Sequence, residues 1–544
     1  MSLLIGLDLD NTILRYDRAL RLVAEEEGCV PSGWDGGKKS LRDFLRGGPG
    51  GDERWQKVQA KIYGTHIDYT EFYAGFVEFV HVARAKGHRL VVVSHKTEVC
   101  PVDESRILLR VAAIRWLESQ GFFSKIGFSF KDLHFCATQD EKCHTIADLH
   151  CDVFIDDLPE VFENRHFPKA TRKIHFTAGI TGNHHNLFRA FPSWRSITHA
   201  EFGFPGPGEI IAVCNRVFPD LDVSSVEPLV GRANSKVFRL RSDKCGTSNY
   251  FLKIYPDRAL DCRKRLETEW SALDTLHRHG LRVPKPVLAS QELNWAIYDW
   301  VDGNLTENVE RNHISQAIDF LKQLNRISAD SFSFLQEASE ACLSGAKLES
   351  QIRQRFEVLR GSSISSVQEW ILEEVAPFLE GIIMSAKERW PDGWQNDLPR
   401  EDQILSPSDY GFHNTIESPN GSLVFVDMEY FGWDDPVKLV ADVFWHPALA
   451  NLEGCLRSEW VKELRAHFLK DPVAECRFDL SLPLYGLRWI FIILNQVVKQ
   501  FSVIPDLSDG KQGLDGKSMI EIQIGKARTI LNCLKKGTGA LSGR

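Results

Sequence analysis

The chain has 544 residues, 43% of them hydrophobic and 26% charged, and a net charge of −9. That length exceeds what one hydrophobic core supports, so two or three domains are expected. The acidic balance and the lack of any block of consecutive Lys/Arg argue against a surface that tracks nucleic-acid phosphates.

In chain order, Leu3–Leu9 is expected as a buried strand. Arg18–Glu27 and Gly51–Tyr63 follow with helical patterns, joined by the glycine-rich Arg46–Asp52 and read as a small helical insert spanning about 15–85. Neither Arg46–Asp52 nor Gly36–Ser40 fits a nucleotide-binding P-loop spacing, so both are read as connectors. The spacing predicts a helix over Tyr69–Lys86, a strand over Arg89–Ser94, a helix over Glu141–Leu149 and a strand over Asp152–Asp156. Short apolar strands alternating with helices indicate a doubly wound α/β domain, and each strand ends in polar residues, where such sheets place their ligands.

Phe202–Glu209 holds three Gly and two Pro in eight residues and is the best interdomain linker. The domain limits read from this are 1–201, a linker at 202–208, and 209–544. After the linker the texture changes. Val226–Leu240, Tyr250–Tyr255 and Pro284–Val301 are expected as antiparallel strands, with a long helix over Cys262–His279 between them. From about residue 305 the pattern is mostly helical, interrupted over 404–436. The most apolar stretch, Trp489–Leu494, falls short of a membrane span. Twelve cysteines without a Cys-x-x-Cys pair read as thiols in a reducing compartment. No basic segment precedes the first apolar run, so a cytoplasmic location is expected.

Asp8 and Asp10 lie two apart at the end of the first strand, which points both side chains at one metal-sized space. Such a pair suits Mg²⁺, with one carboxylate as nucleophile and the other as proton donor and acceptor. Ser94, Lys142 and Asp156-Asp157, at the ends of other elements, supply donors, a cation and further acids. Asp8-Leu-Asp10-Asn-Thr12, Ser94, Lys142 and Ile155-Asp156-Asp157 stand in the order of the four motifs of the haloacid dehalogenase superfamily, which residues 3–200 resemble. The resemblance implies a Rossmann-like domain with a helical cap and an aspartyl-phosphate phosphatase. In it Asp8 is the nucleophile, Asp10 the general acid/base, Ser94 and Lys142 phosphoryl ligands, and Asp157, helped by Asp156, the Mg²⁺ carboxylate. Asp8 and Asp10 belong to the same expected metal site.

Downstream, Asp409 and Asn414 are five apart and Asp427 lies thirteen beyond, at the end of the strand-like Leu423–Asp427. Phosphoryl transfer from ATP needs a carboxylate to orient the attacking hydroxyl and oxygen ligands for Mg²⁺ on the nucleotide. Asp409 suits the first role; Asn414 and Asp427 suit the second. Lys253 sits alone in an apolar strand, Glu269 follows on a helix as its partner, and Gly231, Asn234 and Ser235 precede a strand and suit a loop over the phosphates. This set resembles the aminoglycoside phosphotransferase and choline kinase-like branch of the protein-kinase fold over residues 209–535, with its strongest local match at Val426–Pro436. The resemblance implies a bilobal α+β domain using ATP and Mg²⁺. It departs from the family pattern at Pro407-Ser408, where the family has His-Gly, and at Asp409-Tyr-Gly-Phe-His-Asn414.

Together the two sets predict a bifunctional enzyme: a phosphatase and an ATP-dependent kinase acting on a sugar, polyol or amino-alcohol intermediate. The expected partners are a small-molecule phosphate ester and a hydroxyl acceptor, with no nucleic acid and no membrane. Two alternatives remain open at this stage: a phosphatase gated by a non-catalytic nucleotide sensor, and nucleic-acid end processing, against which the acidic charge weighs.

Overall fold

The computed structural model describes residues 2–31, 33–34, 37–48, 50–99, 107–180, 188–229, 235–243, 248–449, 452–502 and 514–536. The chain forms two compact units. One comprises Met1–Leu266 and Val287–Trp300, the other Glu267–Pro286 and Val301–Arg544.

The first unit is built on two sheets. Leu4–Leu7 is buried on both faces and takes the centre of a six-stranded sheet. The order across it is Leu133–Cys136, Arg89–His95, Leu4–Leu7, Val153–Asp156, Arg172–Phe176, Arg189–Phe191. Every pairing is parallel. Numbered along the chain this is 3-2-1-4-5-6, the order of doubly wound sheets, whose ligands sit where the order reverses. That reversal lies between Leu4–Leu7 and Val153–Asp156, so Asp8 and Asp156 emerge side by side. Gly6 is required there, because a Cβ would come within 2.5 Å of the Phe154 ring on the neighbouring strand.

Between the first two chain-order strands lie the helices Asp17–Glu26, Lys38–Arg46 and Gly51–Tyr63. The middle one falls where a connector was expected over Gly36–Ser40; Gly37 caps its start. The helix expected over Tyr69–Lys86 is shorter, Phe76–Ala85. Gly75, at φ +84°, stops it from extending backward, and Glu71–Phe72 instead pairs with Leu14–Arg15.

The second sheet is antiparallel, in the order Pro286–Ser290, Trp295–Asp299, Ser248–Ile254, Lys236–Ser242, Val223–Pro228. One buried apolar cluster includes Leu7 and Val92 of the first sheet, Ile210 and Val213 of the helix Pro207–Val217, and Phe238, Leu252 and Ile297 of the second. The segment 202–208, expected as a linker, therefore lies inside the first unit. Only Gly203–Gly206 separate the helices Trp194–Phe202 and Pro207–Val217. Phe204 stacks on Phe238 at 6.2 Å and Glu209 pairs with Lys86 at 2.8 Å. Arg195 also ties the two sheets. Its guanidinium pairs with buried Glu78 at 2.7 Å and donates to the carbonyls of Tyr255 and, at 3.1 Å, Leu293.

The second unit is mainly helical. Its apolar centre is the 31-residue helix Pro472–Ser502, against which Gly345–Arg360, Pro436–Trp445 and Leu514–Lys536 pack. By length and composition this helix reaches a membrane span, which corrects the shorter estimate from Trp489–Leu494. Its most apolar window is 78% buried in the unit, as a core helix requires. Two short antiparallel ladders, Thr415–Glu417 with Leu423–Phe425 and Ile404–Ser406 with Gly432–Asp434, carry the loops of the expected kinase site.

Candidate active sites

At the reversal point of the parallel sheet, Asp8 Oδ1 accepts from Lys142 Nζ at 2.6 Å, and the same ammonium donates to Asp156 Oδ2 at 2.7 Å. Lys142 reaches there because Thr138 caps its helix, accepting from the Glu141 amide at 3.1 Å, and aims the first turn at the strand ends. The other Asp156 oxygen accepts from the Leu158 amide at 3.0 Å. Asp157 is held through Thr12, whose hydroxyl accepts from the Asp157 amide at 3.0 Å and donates to its carboxylate at 3.4 Å. Carboxylate oxygens of Asp8, Asp156 and Asp157 lie within 4.8 Å of one another.

Burial pushes the Asp8 carboxyl up to about 7, against the pull of Lys142. Burial, then the charges of Asp8 and Asp156, raise Asp157 well above the usual carboxylate range. Burial alone would lower the Lys142 ammonium, but Asp156 and Asp8 outweigh it and raise it. Three crowded carboxylates that hold protons in the absence of further positive charge suit a divalent cation on Asp8 and Asp157. Ser94 is fully buried, and its hydroxyl finds no hydrogen-bond partner among the described residues.

Asp10 departs from the sequence expectation. Its carboxylate is not in the three-acid group; Lys96 Nζ holds both its oxygens, at 2.7 and 3.0 Å, and Tyr16 donates to Oδ1 at 2.6 Å. Lys96 also lies over the Tyr63 ring at 4.6 Å. From the helical insert, Lys38 faces the same acids: burial alone would lower its ammonium, but Tyr63, Asp157, Asp10 and Asp8 raise it. Sequence reasoning missed Lys96, Tyr16 and Lys38. Only the Ser94-x-Lys96 spacing at a strand end carried a signal.

In the second unit, Asp409 Oδ1 meets His413 Nε2 and His446 Nε2, each at 3.0 Å. Burial would raise the Asp409 carboxyl, but the hydrogen bonds from His413 and His446 outweigh it and hold it well below its usual range. Asn414 donates its amide to the Asp409 carbonyl at 2.9 Å, leaving its own oxygen for a cation. Its carbonyl accepts from the Val426 amide at 3.0 Å, joining the Asp409 loop to the segment that carries Asp427. Asp427 and Ser408 are both left-handed, at φ +65° and +66°. This conformation is uncommon outside glycine, and its occurrence twice here marks a loop shaped by its surroundings. Ser408 is held by Lys438, which donates to its hydroxyl at 3.0 Å.

Asp427, Glu429 and Glu269 bring carboxylate oxygens within 4.8 Å of one another. Glu269 also accepts from the Met428 amide at 3.2 Å. Glu269 was expected only as a partner for Lys253; its place beside Asp427 is new, and Glu429 was not assigned a role. Lys253 is buried in the first unit, on Ser248–Ile254, with its ammonium 5.1 Å from the Tyr255 ring centre. Ser235 lies immediately before the strand Lys236–Ser242. Gly231 and Asn234, expected to close over nucleotide phosphates, lie outside the described residues.

Residues 225–471 match the model of the Phosphotransferase enzyme family, APH. The C-terminal part of the chain is thus a kinase-like phosphotransferase-family domain. Among solved structures the chain is similar to a spectinomycin phosphotransferase in complex with ADP and spectinomycin (11% identity, TM-score 0.43, 60% of this chain and 98% of that one). It is also similar to an ethanolamine kinase of Plasmodium vivax (15%, TM-score 0.39, 59% and 86%). A third similar structure is choline kinase LicA from Streptococcus pneumoniae (15%, TM-score 0.34, 58% and 98%). No curated protein matches the chain.

Proposed function

We propose that the chain is a bifunctional small-molecule enzyme, with an ATP-dependent phosphotransferase in its C-terminal part and a phosphatase of the haloacid dehalogenase kind in its N-terminal part. The observation that carries the first reading is the family match over 225–471 together with Asp409, Asn414 and Asp427 at their expected spacing within it. Asp409 accepts the proton of an acceptor hydroxyl as that oxygen attacks the γ-phosphorus of ATP; the bond to the β-bridging oxygen breaks and ADP leaves. Asn414, Asp427 and Glu429 would offer oxygen ligands for the Mg²⁺ that accompanies the nucleotide.

The second reading rests on Lys142 between Asp8 and Asp156 and on the unpartnered Ser94 hydroxyl. Asp8 attacks the phosphorus of a phosphate ester, Asp10 gives its proton to the departing oxygen, and water then releases phosphate from Asp8 with Asp10 taking the proton. For that, Asp10 must exchange its contacts with Lys96 and Tyr16 for the substrate. Asp8 and Asp157 would hold Mg²⁺, which would neutralise charge between the nucleophile and the phosphate. Lys142 and Ser94 orient the phosphoryl oxygens, and the helical insert excludes water.

The substrates are small: the relatives' names point to amino alcohols and aminocyclitols as acceptors, and the chain's net charge of −9 does not suit a polyanion. The test is ATP consumption and phosphate release by the full chain against choline, ethanolamine, spectinomycin, sugars and their phosphate esters. ATP binding without transfer to any acceptor would support a nucleotide sensor in place of a kinase.

A further inference from the structure

We propose that His413 and His446 are positioning residues for Asp409: together they hold one carboxylate oxygen and leave the other to receive the acceptor's proton. The proposal rests on the phosphotransferase reading above. Both imidazoles place Nε2 at 3.0 Å from the same atom, Asp409 Oδ1, and no described residue hydrogen-bonds Oδ2. A carboxylate gripped at one oxygen cannot rotate freely, so the lone pairs of the other stay aimed, and a positioned base is what transfer to a hydroxyl requires.

The tautomer of His446 is fixed by its surroundings. The Ala448 amide donates to His446 Nδ1 at 3.1 Å, so that nitrogen carries the lone pair and the ring proton sits on Nε2, facing Asp409. This also answers the rival reading of the trio. Ligand atoms of Asp409, His413 and His446 lie within 4.8 Å of one another, as a metal site would have them. A metal at Nε2 would need the lone pair there and a proton on Nδ1, directly against the Ala448 N–H. The trio is therefore a donor–acceptor arrangement.

Both rings are held. His413 and His446 stack at 4.3 Å, and His446 meets Trp489 edge-on at 4.5 Å. The Trp489 indole in turn donates to Asp442 at 2.8 Å. Gly411 makes room, since a Cβ there would lie 2.8 Å from His413 Nδ1. The sequence before Asp409 reads Pro407-Ser408, where the family pattern has His-Gly. In this chain the histidines beside Asp409 are His413, four residues on in the same loop, and His446, 37 residues downstream.

The test compares His446→Leu, which removes the donor, with His446→Gln, whose amide nitrogen reaches nearly where Nε2 lies, and His413→Leu. Each is measured for transfer from ATP to the acceptor found in the panel above and for nucleotide affinity with a fluorescent ATP analogue. His446→Leu is expected to lower kcat about 10- to 100-fold, the range of a misoriented reacting group, with nucleotide affinity within about twofold of the parent. His446→Gln is expected to recover most of the rate. Two-dimensional NMR of the ¹⁵N-histidine-labelled chain should show His446 with its proton on Nε2, at a resonance that moves on Asp409→Asn. An unchanged kcat in His446→Leu overturns the proposal, as does a Gln variant as slow as the Leu variant, or a proton on Nδ1. If Asp409→Asn itself keeps the full rate, the phosphotransferase reading fails instead.

Discussion

Removing Arg195 should unfold the first unit at markedly lower temperature. Among the described residues its guanidinium is the one counter-charge paired with fully buried Glu78, at 2.7 and 2.9 Å, and it donates to the carbonyls of Tyr255 and Leu293. Arg195→Met leaves a carboxylate in the core without its cation, and breaking a buried pair in this way costs about 3–5 kcal/mol. At roughly 2–4 °C per kcal/mol for a unit of this size, the midpoint should fall by about 10 °C. Burial already raises the Glu78 carboxyl against the pull of Arg195, so without Arg195 it should bind a proton on folding. A folded-state value above the unfolded one means stability is lost as pH rises, so the deficit should deepen from pH 5 to pH 8. Glu78→Met with Arg195→Met removes both charges and should recover much of the loss. Differential scanning calorimetry of the full chain reads all three. A midpoint within 2 °C of the parent for Arg195→Met, or a double variant no better than the single, would refute the reasoning.

Asp8→Asn should abolish phosphate release while ATP-dependent transfer continues, because the amide keeps the shape but cannot attack phosphorus; equal loss of both activities would show that the sites depend on each other. With the Asp8 carboxyl at about 7 and Asp157 raised as well, Mg²⁺ must displace protons to bind the N-terminal site. Its affinity should therefore weaken as pH falls below about 7, with proton uptake and release visible by calorimetry in buffers of different ionisation enthalpy; a pH-independent affinity between 5.5 and 8 would contradict the assignment. Asp427→Asn should weaken Mg²⁺-nucleotide binding and transfer together, whereas Asp409→Asn should lower turnover with nucleotide affinity nearly kept, as equilibrium binding and initial rates will separate.

The parts of the fold that were legible are those in which an apolar run ends in charge. Leu3–Leu9, Arg89–Ser94 and Asp152–Asp156 mark central parallel strands, which are buried on both faces and so read as continuous apolar runs. The edge strands Leu133–Cys136 and Arg189–Phe191 are only partly buried and carry no such run. Asp8, Lys142, Asp156 and Asp157 lie together as their motifs' order suggested, because several motifs at strand and helix ends constrain one another. Lys96 and His446 were not, since each is an ordinary residue until the chain folds and brings it to Asp10 or Asp409. The shared core of the first unit was hidden for a related reason. The glycines and prolines of 202–208 signal a turn, but they do not reveal that Phe204 packs on Phe238 or that Arg195 reaches Tyr255. Glycine and proline content reports local backbone freedom, whereas a domain boundary is set by which side chains meet.

The reaction proposed for the C-terminal part is phosphate transfer from ATP to a small-molecule hydroxyl with Asp409 as the base. The most direct measurement follows radiolabelled γ-phosphate from ATP into the acceptor panel with the full chain and with Asp409→Asn. The parent chain should yield a labelled phosphate monoester, and the variant a rate lower by about 100-fold or more while nucleotide affinity holds. Label that appears in no acceptor despite tight ATP binding, or that appears equally with Asp409→Asn, would contradict it.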